Sequence, residues 1–235
     1  MKSSLEQKTA SRACCRVLLL SIFITLLLPL TYAAPINSTH ADGMIAWGNS
    51  TLNNPTYRIW NGTQADFKNE RTDTQDLGTD TQWLTLRANP RRDEWVMITT
   101  DDTPSIDVQI YNGTHWTNLL ELTSTSLQTT QRTDIAFEQK SGDALIIYEK
   151  GTTNDQLLYY RIWNGSAFSA ETNFSTGFAG TADVIWARLY VKTATDQIML
   201  VAENDLNDLW AILWNGTNFE PATNISASND VVDAT

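Results

Sequence analysis

The chain has 235 residues, a formal net charge of −11, nine tryptophans and only two cysteines. Both cysteines, Cys14 and Cys15, lie in the N-terminal segment, so the rest of the chain contains no disulfide and no cysteine-ligated metal site. The acidic balance disfavours nucleic acid and anionic membrane surfaces as partners, because both need basic patches.

The N-terminal segment has the pattern of a secretory signal peptide. Basic residues precede the apolar run 17–30, and small residues follow it at 31–34. This order predicts a signal peptide over residues 1–33, cleaved after Ala33, and a short post-signal segment over 34–43. The alternative is an uncleaved membrane anchor, which would contact the bilayer through residues 15–34. Removing 1–33 takes away four basic residues and one acid, so the charge becomes −11 − 3 = −14.

A hairpin sequence recurs four times along the remaining chain. An aromatic residue followed by Asn-Gly occurs at Asn61, Asn112, Asn164 and Asn215, with spacings of 51, 52 and 51 residues. A fixed period of this size is typical of solenoids, propellers and other repeat arrays. Asn-Gly predicts a type I′ hairpin turn, in which both central residues have positive φ.

The segments around each turn align as strands of a four-stranded unit. Apolar runs that suit second strands, covered on both faces, precede the turns at 44–47, 95–98, 145–148 and 198–201. Candidate first strands lie at 83–86, 135–137 and 186–189. A polar stretch follows each turn and holds an aromatic residue four positions past the asparagine in three units, at Trp116, Phe168 and Phe219, whereas the first unit has Ala65 there. We therefore predict an all-β β-propeller of four-stranded antiparallel blades, with units of approximately 44–82, 83–134, 135–185 and 186–235.

Alternate units are more alike than neighbours. The triplet 58–60 matches 161–163, and Trp83 matches Trp186, which indicates a repeat of blade pairs. The first unit lacks a first strand, and the chain stops just before the next one is due. This count predicts an open array with two uncovered blade faces, which favours self-association.

These hairpins resemble those of a loosely defined group of secreted bacterial and archaeal propeller-repeat proteins that carry W-N-G-[ST]-x-[WF] repeats. The resemblance covers residues 44–235 and implies the fold and an extracellular location. It implies no particular activity. The S-x-D-x-G-x-x-W box of sialidases is absent from the sequence.

The hairpin aromatics Trp60, Tyr111, Trp163 and Trp214 have two interpretations. Large aromatic side chains at one blade position suit packing between blades, where each would bury roughly 150–250 Å². Exposed at one end of a propeller, the same rings would instead form a platform on which sugars stack. The repetition favours the packing role.

Other candidate sites are weaker. Eight N-x-[ST] sequons are possible glycosylation sites: Asn37, Asn49, Asn61, Asn112, Asn164, Asn173, Asn215 and Asn224. Acidic and amide residues that suit either Ca²⁺ or ordinary loops follow the second strands: Asp101, Asp102, Asn154, Asp155, Asn204, Asp205, Asn207 and Asp208. The only histidines, His40 and His115, stand without a catalytic motif. We predict no catalytic residues, no metal site and no cofactor.

Three functional hypotheses remain. The leading one is a non-enzymatic extracellular or cell-surface module that displays a binding surface for protein or carbohydrate. The alternatives are a glycan-active hydrolase or lyase, whose carboxylates would line one mouth of the propeller, and a purely structural envelope repeat. Acids that converge at the central channel would favour the enzyme, and exposed aromatics on a blade-top face would favour binding.

Overall fold

The computed structural model describes residues 43–49, 52–73, 80–103, 105–125, 131–151, 157–177 and 182–226. These residues form sixteen strands, and none of the described residues is helical. The predicted signal peptide and the segment up to residue 42 lie outside the described residues. The described residues all belong to one compact unit.

The strands form four antiparallel sheets in chain order, each built from strands that are consecutive in sequence. The first contains β1 (Gly43–Asn49), β2 (Leu52–Asn61), β3 (Asp66–Phe67) and β4 (Arg71–Thr72), and both β3 and β4 pair with β2. The second contains β5 (Thr81–Ala88), β6 (Trp95–Asp101), β7 (Ile106–Tyr111) and β8 (Trp116–Thr123). The third contains β9 (Asp134–Phe137), β10 (Ala144–Tyr148), β11 (Leu157–Trp163) and β12 (Thr172–Ser175). The fourth contains β13 (Val184–Val191), β14 (Ile198–Asn204), β15 (Leu209–Trp214) and β16 (Thr223–Asn224).

The hydrophobic pattern explains the position of each strand in its sheet. All five residues of β10 are buried, as expected for a run that is apolar on both faces and lies between two other strands. The last strands β12 and β16 are mostly polar and exposed. A sheet with its apolar strands inside and its polar strand at the edge needs neighbouring sheets on both faces.

Successive sheets pack face to face and form the blades of a β-propeller. The first strand β5 contacts β1 on one side and β9 on the other, and β9 contacts β13. Three apolar clusters fill the spaces between the first and second, the second and third, and the third and fourth sheets. The predicted fold class is thereby confirmed, and we call the sheets blades 1 to 4.

The strand register shows which positions of the blades are equivalent. The hairpin aromatic pairs with the first residue of the second strand in every blade: Gly43 with Trp60, Trp95 with Tyr111, Ala144 with Trp163, and Ile198 with Trp214. Strand β1 is therefore equivalent to β6, β10 and β14. The described part of blade 1 thus contains second, third and fourth strands, and the position of a first strand falls before residue 43, outside the described residues.

The predicted type I′ turns are wrong. Gly113, Gly165 and Gly216 have φ of 90°, 89° and 98°, but the asparagines before them do not have positive φ. The loop has four residues, because Tyr111 pairs with Trp116 across it. Its asparagine acts through its side chain, since Asn112 Oδ1 accepts the backbone N–H groups of Thr114 and His115, each at 3.1 Å.

Blade 1 has a longer hairpin. Trp60 pairs with Phe67, seven positions later, whereas Tyr111 of blade 2 pairs with Trp116, five positions later. In the blade 1 loop, Ala65 has a positive φ. Two extra residues in this loop explain why Ala65 replaces the aromatic in the sequence alignment. The aromatic pair itself is kept, with ring centroids of Trp60 and Phe67 5.0 Å apart.

Candidate functional site

Two tryptophans lie on bulged first strands of alternate blades. The register of β5 shifts between Thr81 and Trp83, and that of β13 shifts in the same place, between Val184 and Trp186. Trp83 is 47% exposed and Trp186 is half-buried. Bulges of this kind redirect a side chain and are common beside functional sites. The two tryptophans are therefore displayed by a feature of the backbone that repeats every second blade.

Two guanidinium groups lie beside one buried carboxylate on these first strands. Arg87 Nη2 donates to Asp134 Oδ1 at 3.2 Å, across 47 positions of sequence. Asp134 is buried, whereas the side chain of Arg87 is 47% exposed. Burial lowers the pKa of the Arg188 guanidinium; the carboxylate of Asp134 opposes this shift, and the charge of Arg87 adds to it. The three charged groups are thus close enough to interact.

Aromatic rings complete this arrangement on blade 4. The Arg188 guanidinium lies over the Trp186 ring, 5.5 Å from its centroid, and Arg188 Nη1 donates to the carbonyl of Thr133 at 3.4 Å. Tyr190, two residues farther along β13, is 54% exposed. We define the inner-strand site as these six residues: Trp83, Arg87, Asp134, Trp186, Arg188 and Tyr190.

The only carboxylate on the described first strands β5, β9 and β13 is that of Asp134. Asp134 Oδ1 accepts the N–H of Ile135 at 2.9 Å as well as Arg87, and Oδ2 accepts the N–H of Leu189 at 2.9 Å. A carboxylate that is buried and accepts three donors positions the strands around it. The paired carboxylates that a glycosidase needs are not provided by these strands.

The hairpin aromatics occupy the spaces between blades. Tyr111, Trp163 and Trp214 are buried, and Trp60 is half-buried. The indole N–H of Trp163 donates to Glu94 of blade 2 at 3.2 Å, and that of Trp214 donates to Glu138 of blade 3 at 2.7 Å. Three of the four rings are thus enclosed by protein and present no face to a sugar.

The sequons fall in three structural settings. The four turn asparagines, Asn61, Asn112, Asn164 and Asn215, each accept two backbone N–H groups through Oδ1. Asn173 and Asn224 are exposed on the edge strands β12 and β16. Asn37 lies outside the described residues, and Asn49 ends β1. The turn geometry alone accounts for the four turn asparagines, and glycosylation of the eight sequons stays a prediction.

The loop residues considered for calcium hold their own turns together. Asp101 Oδ1 accepts the N–H groups of Thr103 and Ser105, both at 3.0 Å, and Asn204 Oδ1 does the same for Leu206 and Asp208. Asn154 and Asp155 lie outside the described residues. Within the described ranges, no group of three or more His, Cys, Asp or Glu side chains is placed to hold a metal ion.

The remaining sequence candidates add no site. His115 is exposed in its hairpin, where its Nδ1 lies 2.9 Å from Thr114 Oγ1, and His40 falls outside the described part of the chain. No helix long and apolar enough to cross a membrane occurs in the part of the chain that the structure describes.

A second polar cluster lies inside the molecule, on the face of β7 that is turned toward blade 1. Gln109 is completely buried, and neither its side-chain nitrogen nor its oxygen has a hydrogen-bond partner. Burial, followed by the charges of Asp101 and Glu121, raises the pKa of Asp107 to about 7. Because these groups are enclosed between two blades, the cluster concerns stability rather than recognition.

Sequence reasoning identified only part of the inner-strand site. Trp83 and Trp186 match as repeat positions of alternate units, whereas Asp134 and Tyr190 belong to no motif of the sequence. The signal that pointed to the site was the match between alternate units, since both tryptophans follow the same bulge.

No protein-family model matches the chain, and none of the curated proteins matches it. Among solved structures, the chain is similar to the fucose-specific lectin of Aleuria aurantia, with 14% identity and a TM-score of 0.44 over 78% of this chain and 60% of the lectin. A variant of that lectin in complex with Fucα1-6GlcNAc gives 14% identity and a TM-score of 0.43 over 78% and 61%. A six-bladed β-propeller structure of the lectin gives 11% identity and a TM-score of 0.41 over 78% and 64%. The chain spans about three fifths of the length of these lectins.

Proposed function

We propose that the chain is a non-enzymatic extracellular propeller module that binds saccharides through the inner-strand site. The observation that carries the proposal is the display of aromatic rings beside guanidinium groups on the first strands. Trp83 and Tyr190 expose about half of their surface, and Arg188 stacks on Trp186. Aromatic rings present an apolar face to the C–H groups of a sugar, and guanidinium groups donate to its oxygens.

The charges of the site favour a sugar that carries an acidic group. Arg87 and Arg188 bring two cations to one carboxylate, that of Asp134, whose oxygens already accept three hydrogen bonds. An acid group of a ligand would pair with the guanidinium groups in the bidentate geometry that arginine provides. The charge of −14 on the predicted exported chain repels densely charged polyanions, so the expected ligand is an otherwise neutral saccharide with isolated acid groups.

The extracellular location is proposed from the N-terminal pattern of the sequence. Basic residues, the apolar run 17–30 and the small residues at 31–34 follow one another in the order of a signal peptide. An exported module meets glycans of cell surfaces and extracellular polymers. Saccharide binding by the side chains of the inner-strand site needs no cofactor.

The proposal is tested by titrating the purified chain with neutral and uronate-containing oligosaccharides in a calorimeter. We expect the uronate-containing saccharides to bind more tightly and their affinity to fall as salt is added, because salt screens exposed charges. Trp186→Ala and Tyr190→Ala should each weaken binding about tenfold or more, equivalent to about 1.4 kcal/mol.

The control for these variants is Leu206→Ala, which shortens an exposed apolar side chain in a turn outside the inner-strand site. It should bind like the unaltered chain, and circular dichroism should show that all three variants keep the β fold. The proposed site would be refuted if the unaltered chain bound no saccharide. It would also be refuted if the Trp186→Ala and Tyr190→Ala variants bound as tightly as the unaltered chain.

A further inference from the structure

Two blade faces of the described chain, one on blade 1 and one on blade 4, are partly exposed. The leading face, on blade 1, comprises Ile45, Trp47, Arg58, Trp60, Phe67 and Glu70, and Thr56 on the same face is buried. The trailing face, on blade 4, comprises Met199, Val201, Ala211, Leu213 and Ile225. Both expose large apolar side chains: Ile45 and Phe67 on the leading face, and Met199 and Ile225 on the trailing face. Apolar surface of this kind commonly marks an interaction site.

The leading face is equivalent, position by position, to the face of blade 3 that packs on blade 2. Ile45 pairs with Arg58 across blade 1, and Ile146 pairs with Arg161 in the same register across blade 3. Ile146 is completely buried in the cluster between blades 2 and 3, whereas Ile45 is 46% exposed. Blade 1 therefore exposes part of a surface whose counterpart on blade 3 is buried.

The aromatic and charged residues of the two faces are equivalent as well. The rings of Trp60 and Phe67 lie 5.0 Å apart, and those of Trp163 and Phe168 lie 4.8 Å apart. Glu70 precedes the residue that pairs with Tyr57, as Glu171 precedes the residue that pairs with Tyr160. Arg58 Nη2 lies 3.7 Å from Glu70 Oε2, so the charged part of the leading face is already paired.

The trailing face is equivalent to the face of blade 2 that receives blade 3. Val96 pairs with Ile110 in blade 2, as Met199 pairs with Leu213 in blade 4. The next pairs on this face, Ile98 with Val108 and Val201 with Ala211, follow the same register. The four blade 2 residues are buried against blade 3, whereas Met199 on blade 4 is 37% exposed.

We propose that the trailing face of one copy of this chain binds the leading face of a second copy, as blade 2 receives blade 3. The partner is a second copy because the two faces reproduce the two halves of an interface already present in the molecule. The contact is heterologous, since two different surfaces meet, and it therefore joins copies head to tail.

The docked arrangement leaves the inner-strand site accessible. Trp83 and Arg87 lie on blade 2, which is covered by blade 3, and each still has 47% exposure. Trp186 and Tyr190 occupy the equivalent positions of blade 4, as the register of β13 with β14 shows. Association would therefore array these sites without covering them.

The experiment is a complementation test with one charged substitution on each face. Light scattering coupled to size exclusion should show concentration-dependent association of the unaltered chain between about 1 and 100 μM, the range in which interfaces of moderate affinity are populated. Ile45→Lys damages only the leading face and Met199→Lys only the trailing face, so each variant alone should be monomeric. An equimolar mixture should form a one-to-one dimer and nothing larger, since one intact face of each kind remains.

Leu206→Lys is the matched control, because it introduces the same charge at an exposed apolar residue outside both faces. It should associate like the unaltered chain. A monomeric unaltered chain at the highest concentration, association that survives both substitutions, or a mixture that stays monomeric would each overturn the proposal. Failure of saccharide binding would leave this result unchanged, since the faces and the inner-strand site are tested separately.

Discussion

The interface between blades 1 and 2 and the interface between blades 3 and 4 share one backbone register but differ in polarity. Two residues before the hairpin aromatic, blade 4 has Ile212, buried in a continuous apolar cluster, and blade 2 has Gln109, equally buried but without a hydrogen-bond partner. The indole N–H of Trp214 donates to Glu138, whereas the buried indole N–H of Trp116 has no partner. The repeat therefore fixes the packing geometry while leaving the composition of each interface free to vary.

The largest expected effect is the loss of Trp214, which is buried in the better-satisfied interface. Trp214→Ala removes a buried ring and leaves the buried Glu138 without one of its donors. We expect a loss of about 3–5 kcal/mol in the free energy of unfolding, the usual range for such truncations in a core. Urea unfolding followed by tryptophan fluorescence and by circular dichroism measures it.

Trp60→Ala is the control for this change, because Trp60 is the equivalent residue but is half-buried. Its loss should cost clearly less than that of Trp214. Equal losses for the two variants would mean that burial between blades is not what makes the hairpin aromatic stabilising.

A smaller effect of opposite sign is expected at Gln109. Gln109→Leu replaces a buried amide without partners by an apolar side chain of similar size. Because an unsatisfied buried polar group costs about 1–3 kcal/mol, the variant should be more stable by an amount in this range.

The reciprocal substitution Ile212→Gln places the amide in the apolar interface between blades 3 and 4. It should destabilise the protein by a comparable amount or more. Destabilisation by Gln109→Leu would show that the amide of Gln109 is satisfied in solution, and the contrast between the two interfaces would then disappear.

The sequence predicted the parts of this fold that depend on local pattern. The apolar runs at 44–47, 95–98, 145–148 and 198–201 are the second strands β1, β6, β10 and β14. Those of blades 2 to 4 lie between two strands of their sheets, as expected for runs that are apolar on both faces. The predicted turn type is wrong, because the prediction considered only the backbone φ preferences of Asn and Gly. The side chain of Asn112 satisfies the loop by accepting two N–H groups, an alternative that the dipeptide does not reveal.

The candidate site was less predictable because it is assembled from three blades. Arg87 and Asp134 meet across 47 positions, and Arg188 reaches the carbonyl of Thr133 across 55. These sequence separations are close to one repeat period, so a correct alignment of the repeats places the residues on first strands of neighbouring blades. It does not show which side chains face each other, since the bulges before Trp83 and Trp186 change the alternation of the strand.

The last expected effect is a pH dependence that arises from the polar interface between blades 1 and 2. The pKa of Asp107 is raised from 3.8 to about 7, first by burial and then by the charges of Asp101 and Glu121. Below about pH 4 this residue is protonated in both states. Between about pH 4 and pH 7 the unfolded chain loses the proton while the folded chain keeps it, so stability falls as the pH rises and levels off above about pH 7.

Asp107→Asn removes this contribution. Compared with the unaltered chain, the variant should be more stable at about pH 8, and the two should converge toward about pH 4. Urea unfolding at several pH values measures the difference. Asp102→Asn, at an exposed position in the adjacent turn, should leave the profile as it is. If Asp107→Asn shifted the free energy of unfolding equally at every pH, its effect would arise from packing rather than from the proton that Asp107 binds on folding.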